Sequence, residues 1–195
     1  MRSVALPLRL PVILLILFLS GGALPVFAQR SDDSSDRRSW QFASGTGNLL
    51  YLGLGVLRPV LIDGSSGGER TGRTADALLV TGLVTQGLKR LTREERPDGS
   101  NRESFPSGHA SAAFAIAAME SHWHRGETPL WFLGAGLIGA SRVKLRRHYR
   151  HDVLAGAALG YVLARVERAQ PAGLLTAPFV RRDRSGRWVS FDIRF

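Results

Sequence analysis

Apolar residues occur along this chain in short runs that are separated by polar, charged or Gly-rich segments. Their spacing predicts five helices, at about residues 47–61, 74–93, 107–122, 129–140 and 152–168. In the second helix Thr74 is a candidate N-cap, and four leucines are expected to face the core: Leu78, Leu79, Leu83 and Leu88. The pattern therefore predicts an all-α fold, a helical bundle of about five helices.

The connecting segments predict the domain organisation. Residues 29–46 are polar and are expected to form a loose N-terminal arm. Residues 63–73 (DGSSGGERTGR) are expected to form a flexible loop because of their Gly and Ser content. With the first helix, these segments make up a part at 29–73, which precedes a helical core at 74–170 and a tail at 171–195.

The tail differs from the rest of the chain in its periodicity. Apolar and polar residues alternate from Val189 to Phe195, which is the period of a strand. A turn-forming segment at 183–186 (DRSG) precedes it, and residues 176–181 could pair back. A C-terminal β-hairpin is therefore predicted.

The first 28 residues are typical of a secretory signal peptide. Arg2 and Arg9 flank a start without acidic residues, residues 12–19 (VILLILFL) are apolar, and small residues lead to Ala28. Cleavage after Ala28 predicts an exported protein of the bacterial periplasm or cell envelope; the alternative is an uncleaved N-terminal anchor. The uncharged runs of the five helices are shorter than the roughly 18–20 residues that cross a bilayer. They favour a soluble or peripheral bundle, although faces of small residues also suit membranes.

Composition and charge narrow the chemistry. The chain has no Cys, which excludes disulfides, thiol catalysis and zinc–cysteine sites. Its net charge of +10 indicates an anionic partner: a nucleic acid, an anionic membrane or a phosphate-bearing substrate. A nucleic acid is not expected, because the chain has no motif for it and no aromatic residues interleaved with the basic ones.

One set of residues could bind a phosphate dianion. Lys89, Arg96 and Arg142 are three cations, and guanidinium donors suit phosphate oxygens. Ser107 and Gly108 precede an Ala-rich helix, whose N-terminal N–H groups favour an oxyanion. The absence of a side chain at Gly108 would let a ligand approach the backbone closely.

A second set could carry out the reaction. His148 and Asp152 share a face if the helix has begun by His148, so the carboxylate could hold one ring nitrogen while the other attacks phosphorus. His109 could give a proton to the leaving oxygen. Each residue alone has an ordinary explanation, such as a solvated surface charge, a helix cap or a core histidine. The ordered combination does not.

The blocks KRLTREERP, SFPSGHA and SRVKLRRHYRHD resemble the three-part signature of the type 2 phosphatidic acid phosphatase and vanadium haloperoxidase superfamily. The resemblance runs from about Thr74 to Val166. It implies a bundle with the active site at helix ends and phosphatase chemistry without a metal or other cofactor. It implies His148 as nucleophile, Asp152 as its orienting carboxylate and His109 as general acid. Its implied phosphate-binding residues are Lys89, Arg96, Ser107, Gly108 and Arg142.

Three hypotheses follow. The first is an exported phosphatase that hydrolyses phosphomonoesters, above all lipid phosphates, with peripheral membrane contact. The second is a vanadate-dependent haloperoxidase using the same pocket, and the third is a non-catalytic basic envelope protein. The segment at 98–105 is short for the family and leaves little material for a substrate-selecting lid. A metal site at His122 and His124 lacks an evident third ligand, and His151 is expected at the surface or at the mouth of the site.

Overall fold

The computed structural model describes residues 34–170, 173–175, 180–182 and 188–190. Within this part the helices are α1 (Ser34–Ser44), α2 (Thr46–Ile62), α3 (Gly67–Thr92), α4 (Gly108–Trp123), α5 (Thr128–Lys144) and α6 (Arg150–Ala169). Short 3-10 turns lie at Gly64–Ser66 and Arg125–Glu127. Helices α2 to α6 correspond to the five predicted helices, so the all-α prediction is confirmed.

Helix α4 is the centre of the bundle and packs against α2, α3, α5 and α6. Its buried residues are mostly alanines, with Ile116 and Met119 as the largest apolar ones. Small residues let α6 approach α4 closely: a Cβ atom built on Gly160 would lie 2.0 Å from the Ser111 carbonyl oxygen. The core therefore depends on close backbone packing more than on large side chains.

The predicted core face of α3 is wrong at two of its four leucines. Leu79 and Leu83 are 60% and 65% exposed, whereas Leu78 packs against the core and Leu88 is half-buried. The face turned inward is largely polar, and its buried residues are Gly67, Thr74, Asp76, Ala77, Thr81, Thr85 and Lys89. Threonine is compact enough for the narrow gap beside α4, and the hydroxyls of Thr85 and Ser111 are 2.9 Å apart.

The segment predicted as a flexible loop at 63–73 is helical. Its first residues form the 3-10 turn, and α3 begins at Gly67. A Cβ atom on Gly67 would lie 2.3 Å from the Pro59 carbonyl oxygen, so this glycine serves close packing of α3 on α2. An ion pair between Arg70 and Asp63, 2.9 Å apart, joins the two helices.

The segment predicted as a loose arm is also ordered where the structure describes it. Residues 34–44 form α1, which packs against α2 and α5. The Lys144 ammonium lies 5.9 Å from the centre of the Trp40 ring, and Ser44 is buried at the end of the helix. The polar composition of this segment does not prevent a helix, because packing of one face of α1 against the bundle is enough to stabilise it.

The end of the bundle where α2 and α4 terminate is held by a network of charged groups, most of them partly or fully buried. The His124 ring bridges the two helices, with Nε2 2.9 Å from Asp63 Oδ1 and Nδ1 2.7 Å from an Arg58 nitrogen. Arg58 also pairs with Glu120, 3.2 Å away, and with Glu127. His124 is thus a structural residue of this charge network.

In the tail, β1 (Val180–Arg182) pairs antiparallel with β2 (Trp188–Ser190), and Arg181 lies opposite Val189. These strands lie in the segments where a hairpin was predicted. The predicted turn at 183–186 and the predicted signal peptide at 1–28 lie outside the described residues. Among the described residues, one segment, Ser35–Ile62, is long and apolar enough to cross a membrane, and 17% of its most apolar window is buried.

Candidate active site

The three sequence blocks meet at the end of the bundle where α3 and α5 terminate and α4 and α6 begin. The Lys89 ammonium donates to the Glu103 carbonyl, 2.5 Å away, which joins the first block to the loop before α4. The Ser107 N–H donates to the Asp152 carbonyl over 3.0 Å, which joins the second block to the third. The structure therefore brings the sequence-predicted residues to one site.

His148 lies just before α6 and is 2% exposed. Its Nδ1 atom is 2.8 Å from the Ser104 carbonyl oxygen and 3.4 Å from Asp152 Oδ2. A carbonyl can only accept, so Nδ1 carries the proton and Nε2 keeps its lone pair. Burial, followed by the charges of Lys89 and Arg142, lowers the pKa of His148 to about 4. The ring is therefore neutral at neutral pH.

Asp152 is completely buried and its carboxylate is fixed on one side. Oδ2 accepts from the Ser104 hydroxyl at 2.5 Å and from the Tyr149 N–H at 2.9 Å, the second bond being part of the N-terminal capping box of α6. The predicted spacing argument is correct in bringing His148 and Asp152 together. The condition that the helix has begun by His148 is not met, because α6 begins at Arg150, so the two side chains meet at the N-terminal end of the helix.

Lys89 and Arg142 are buried cations, each 7% exposed. The bonding partners of Lys89 are the carbonyls of Glu103 and Ser104, and Arg142 donates to the Ser44 hydroxyl. Burial and the charge of Arg96 lower the pKa of Lys89 to about 8 and that of Arg142 to about 10. Two buried N–H donors among these groups, Nε of Arg96 and Nε of Arg142, have no hydrogen-bond partner in the part of the chain that the structure describes.

His109 lies in the first turn of α4, beside these cations. Burial, followed by the charge of Arg142, lowers the pKa of His109 to about 4; Arg96 and Lys89 act in the same direction, and a hydrogen bond to the Ser44 backbone opposes them. A bound dianion would offset the positive field and raise this pKa again.

The N-terminus of α4 is open towards the same cations. Ser107 is the N-cap, and its hydroxyl accepts from the Ala110 N–H. A Cβ atom on Gly108 would lie 3.7 Å from Thr85 Cγ2 and 3.9 Å from Lys89 Cε, which are ordinary contacts. The protein itself would therefore accommodate an alanine at 108, and its own packing does not require a glycine there.

Sequence reasoning missed two residues of the site. Ser104 is fully buried and contacts three of the predicted residues, since its carbonyl accepts from His148 and Lys89 and its hydroxyl donates to Asp152. Ser44 contacts Arg142 and His109 from the end of α1. Ser104 could have been identified from the sequence, because it lies inside the block SFPSGHA. Nothing in the sequence around Ser44 indicates its role.

The rim of the site is basic. A cavity of about 410 Å³ lies beside Lys89, and its other lining residues are Arg90, Arg93, Asn101, Arg102 and Glu103. In the segment after α5, Arg147 pairs with Asp98 at 3.1 Å. His151 is exposed at the rim, with Nε2 2.9 Å from Glu94 Oε1.

Comparison with known proteins agrees with the motif-based resemblance. The family model of the PAP2 superfamily matches residues 42–173 of this chain. The solved structure of LpxE from Aquifex aeolicus superposes with a TM-score of 0.57, covering 82% of this chain and 94% of that chain at 22% identity. This likeness supports the helical fold.

Two curated proteins are similar in sequence. Lipid A 1-phosphatase of Porphyromonas gingivalis is 39% identical over 97 residues, which are 46% of this chain and 21% of that protein. Diacylglycerol pyrophosphate phosphatase 1 of Saccharomyces cerevisiae is 32% identical over 143 residues, which are 65% of this chain and 46% of that protein. The chain therefore spans less than half the length of either relative.

Proposed function

Because this chain belongs to the PAP2 superfamily, we propose that it is a phosphatase that hydrolyses lipid phosphate monoesters through a phosphohistidine intermediate. The observation that carries the proposal is the state of the His148 ring. Its Nδ1 proton is held by the Ser104 carbonyl, so the Nε2 lone pair is available in a site surrounded by buried cations.

In the first step, the phosphate binds between Lys89, Arg96 and Arg142 and against the N–H groups that begin α4. His148 Nε2 attacks phosphorus, and the bond from phosphorus to the leaving oxygen breaks. His109 gives its proton to that oxygen, so that an alcohol departs. The three cations supply the positive charge that stabilises the phosphoryl oxygens in the transition state.

In the second step, water attacks the phosphohistidine. His109, now neutral, takes a proton from this water, the P–N bond breaks, and inorganic phosphate leaves with the His148 lone pair restored. The low pKa of His109 in the free site suits this role as base. Its role as acid in the first step depends on the substrate dianion, which offsets the charges that depress its pKa.

The substrate class is supported by two observations. Both similar curated proteins are named for phosphate groups on lipids. In addition, the outer faces of α2, α3 and α5 carry exposed leucines: Leu49, Leu50, Leu54, Leu57, Leu61, Leu79, Leu83, Leu130, Leu133 and Leu137. So many exposed leucines on three helices are typical of a surface that contacts a membrane or a partner.

Membrane contact would bring the site close to lipid head groups. We infer that the protein associates with a membrane of the cell envelope through this leucine surface. The basic cavity beside Lys89 then lies on the route that an anionic head group takes to the site. Residues 1–28 would direct export, which is tested by sequencing the N-terminus of the protein recovered from the envelope.

The decisive experiment combines a variant with a chemical trap. Phosphate release is measured in detergent micelles from phosphatidic acid, phosphatidylglycerol phosphate, a prenyl diphosphate and an aryl phosphate. We expect the lipid phosphates to be preferred, chelators to leave the rate unchanged, and vanadate to inhibit competitively. Alkaline quench of the wild-type protein, in which the P–N bond of phosphohistidine survives, should trap labelled phosphate on His148, and His148→Ala should remove both label and turnover while keeping the fold.

His109 is tested by the leaving group. His109→Ala should slow formation of the phosphohistidine from an alkyl phosphate much more than from nitrophenyl phosphate, because an aryl oxygen leaves without protonation. Equal losses with the two substrates would contradict proton donation by His109.

Label on another residue, or turnover in His148→Ala, would contradict the assignment of His148 as the nucleophile. Halide oxidation in the presence of vanadate and added hydrogen peroxide, without phosphate release, would favour a haloperoxidase. No activity of either kind would favour a binding protein.

A further inference from the structure

At the rim of the site, three side chains that can bind a metal point towards one another. They are Glu94, from the segment after α3, and His151 and Asp152, from the first turn of α6. The His151 Nε2 atom lies 2.9 Å from Glu94 Oε1 and 3.1 Å from Asp152 Oδ1. All three ligand atoms lie within 4.8 Å of one another.

One of these atoms lacks a hydrogen bond in a buried position. Asp152 is 0% exposed, and its Oδ2 atom receives the bonds from Ser104 and Tyr149. The other oxygen, Oδ1, is buried, has no hydrogen bond of good geometry from any of the described residues, and lies 3.1 Å from His151 Nε2. A buried carboxylate oxygen normally has a partner, so this atom is an available ligand.

We propose that Glu94, His151 and Asp152 form a zinc site through which Zn²⁺ inhibits the enzyme. One imidazole and two carboxylates are ligands that Zn²⁺ takes in proteins, and three protein ligands leave a fourth position for water. Ligand bonds of about 2.0–2.2 Å in a tetrahedron put ligand atoms about 3.4 Å apart. The two short separations here need to open by only a few tenths of an ångström.

The surroundings select for Zn²⁺ over Mg²⁺. Mg²⁺ requires six ligands in an octahedron and prefers oxygen. This site offers only three protein ligands, and one of them is a nitrogen. The His151 ring is already oriented, because it stacks on Tyr149 at 5.3 Å between ring centres and lies 6.2 Å from the Phe105 ring. The positive N-terminal end of α6 opposes a cation, so a metal that forms strong ligand bonds is favoured.

Zinc would inhibit the enzyme through the other oxygen of the Asp152 carboxylate, Oδ2. Zinc on Oδ1 withdraws negative charge from Oδ2, which lies 3.4 Å from His148 Nδ1, and pulls the carboxylate towards the rim. His148 then loses part of the support that orients its ring. The phosphate pocket itself is not occupied, so zinc should lower kcat more than it raises KM. This effect on rate rests on the proposed function, whereas binding of the metal does not.

The test uses the full chain without an affinity tag. Calorimetric titration with zinc chloride should show one site per chain in the wild type. Nitrophenyl phosphate hydrolysis should fall as that site fills, and magnesium chloride at the same concentration should have no effect. Glu94→Gln and His151→Gln should retain the metal-free rate, and each should weaken zinc binding and inhibition by roughly tenfold or more.

His122→Gln is the matched control, because it removes a histidine at the far end of α4 beside Trp123. It should bind zinc and be inhibited like the wild type. The proposal is overturned if the wild type binds no zinc, or if Glu94→Gln binds it with unchanged affinity. If no substrate is hydrolysed, the calorimetric comparison still decides the metal site, so failure of the proposed function is recognised separately.

Discussion

Gly108→Ala should separate the stability of this protein from its activity. The Cβ atom of an alanine at 108 would meet Thr85 Cγ2 at 3.7 Å and Lys89 Cε at 3.9 Å, both ordinary van der Waals contacts. Replacing Gly by Ala where the backbone is compatible stabilises a protein by about 0.4–1 kcal/mol. For a chain of this size the melting temperature should therefore rise by about 1–4 °C.

Activity should change in the opposite direction. The added methyl group lies beside the Lys89 side chain, where the proposed phosphate approaches the N–H groups of α4. A displacement of the phosphoryl group by about 1 Å can reduce the rate by about a hundredfold. We expect kcat/KM to fall by roughly tenfold to a hundredfold, and vanadate to bind correspondingly more weakly.

The measurements are thermal unfolding followed by circular dichroism, together with steady-state kinetics on phosphatidic acid. Gly87→Ala is the matched control, because a Cβ atom there meets nothing within 4 Å. It should give a similar rise in melting temperature without loss of activity. If Gly108→Ala melts higher and retains the wild-type kcat/KM, the anion does not approach α4 at this residue and the reasoning is wrong.

Three further predictions address the charges and the packing around the site. The pKa of Lys89 is about 8, and the charged groups that act on this pKa are Arg96, Glu103, Asp152 and Arg142. Because the charge of Lys89 is lost as the pH rises, kcat/KM should fall between pH 7 and 9. Lys89→Arg should remove this inflection from the pH profile. Ser104→Ala removes the hydroxyl bond to Asp152 but keeps the carbonyl bond to His148, so kcat should fall by about tenfold or more while KM changes less than twofold. Gly160→Ala would place Cβ 2.0 Å from the Ser111 carbonyl oxygen, so unfolding should be easier by roughly 1–3 kcal/mol, and an unchanged melting temperature would contradict the close packing of α4 and α6.

The helices are predictable because their apolar runs are bounded by clear polar and Gly-rich segments. The orientation of α3 is not. Leu79 and Leu83 are expected inside because leucine is usually buried in soluble proteins, yet the inner face carries Thr81 and Thr85. That expectation assumes water outside the bundle, and it reverses when lipid covers the outer face.

Glycine misleads for a related reason. A run of Gly and Ser at 63–73 predicts flexibility, but the structure has Gly67 against the Pro59 carbonyl. Sequence alone does not distinguish a glycine that frees the chain from one that lets two backbones approach. The same ambiguity does not affect the site residues, whose ordered spacing in three blocks carries the prediction independently of the local structure.

Residues that support the site through their backbone atoms cannot be identified from the sequence. Ser104 acts on His148 and Lys89 through its carbonyl oxygen, which every residue possesses. Ser44 reaches Arg142 from α1, and this contact depends on the docking of a segment whose composition is polar. Side-chain chemistry can be read from a sequence, whereas a carbonyl at a particular place follows only from the fold.

The buried cations are unfavourable for stability, but they suit the proposed binding of an anion. Lys89 and Arg142 are each 7% exposed, and their hydrogen-bond partners are carbonyl and hydroxyl oxygens. Taking such charges out of water is unfavourable unless an opposite charge accompanies them. Asp152 is a buried carboxylate of the site that could offset these charges, but its oxygens are directed to Ser104, Tyr149 and His151. The positive charges of Lys89 and Arg142 are therefore only partly offset by nearby carboxylates, and in the proposed function a phosphate dianion would offset the remainder.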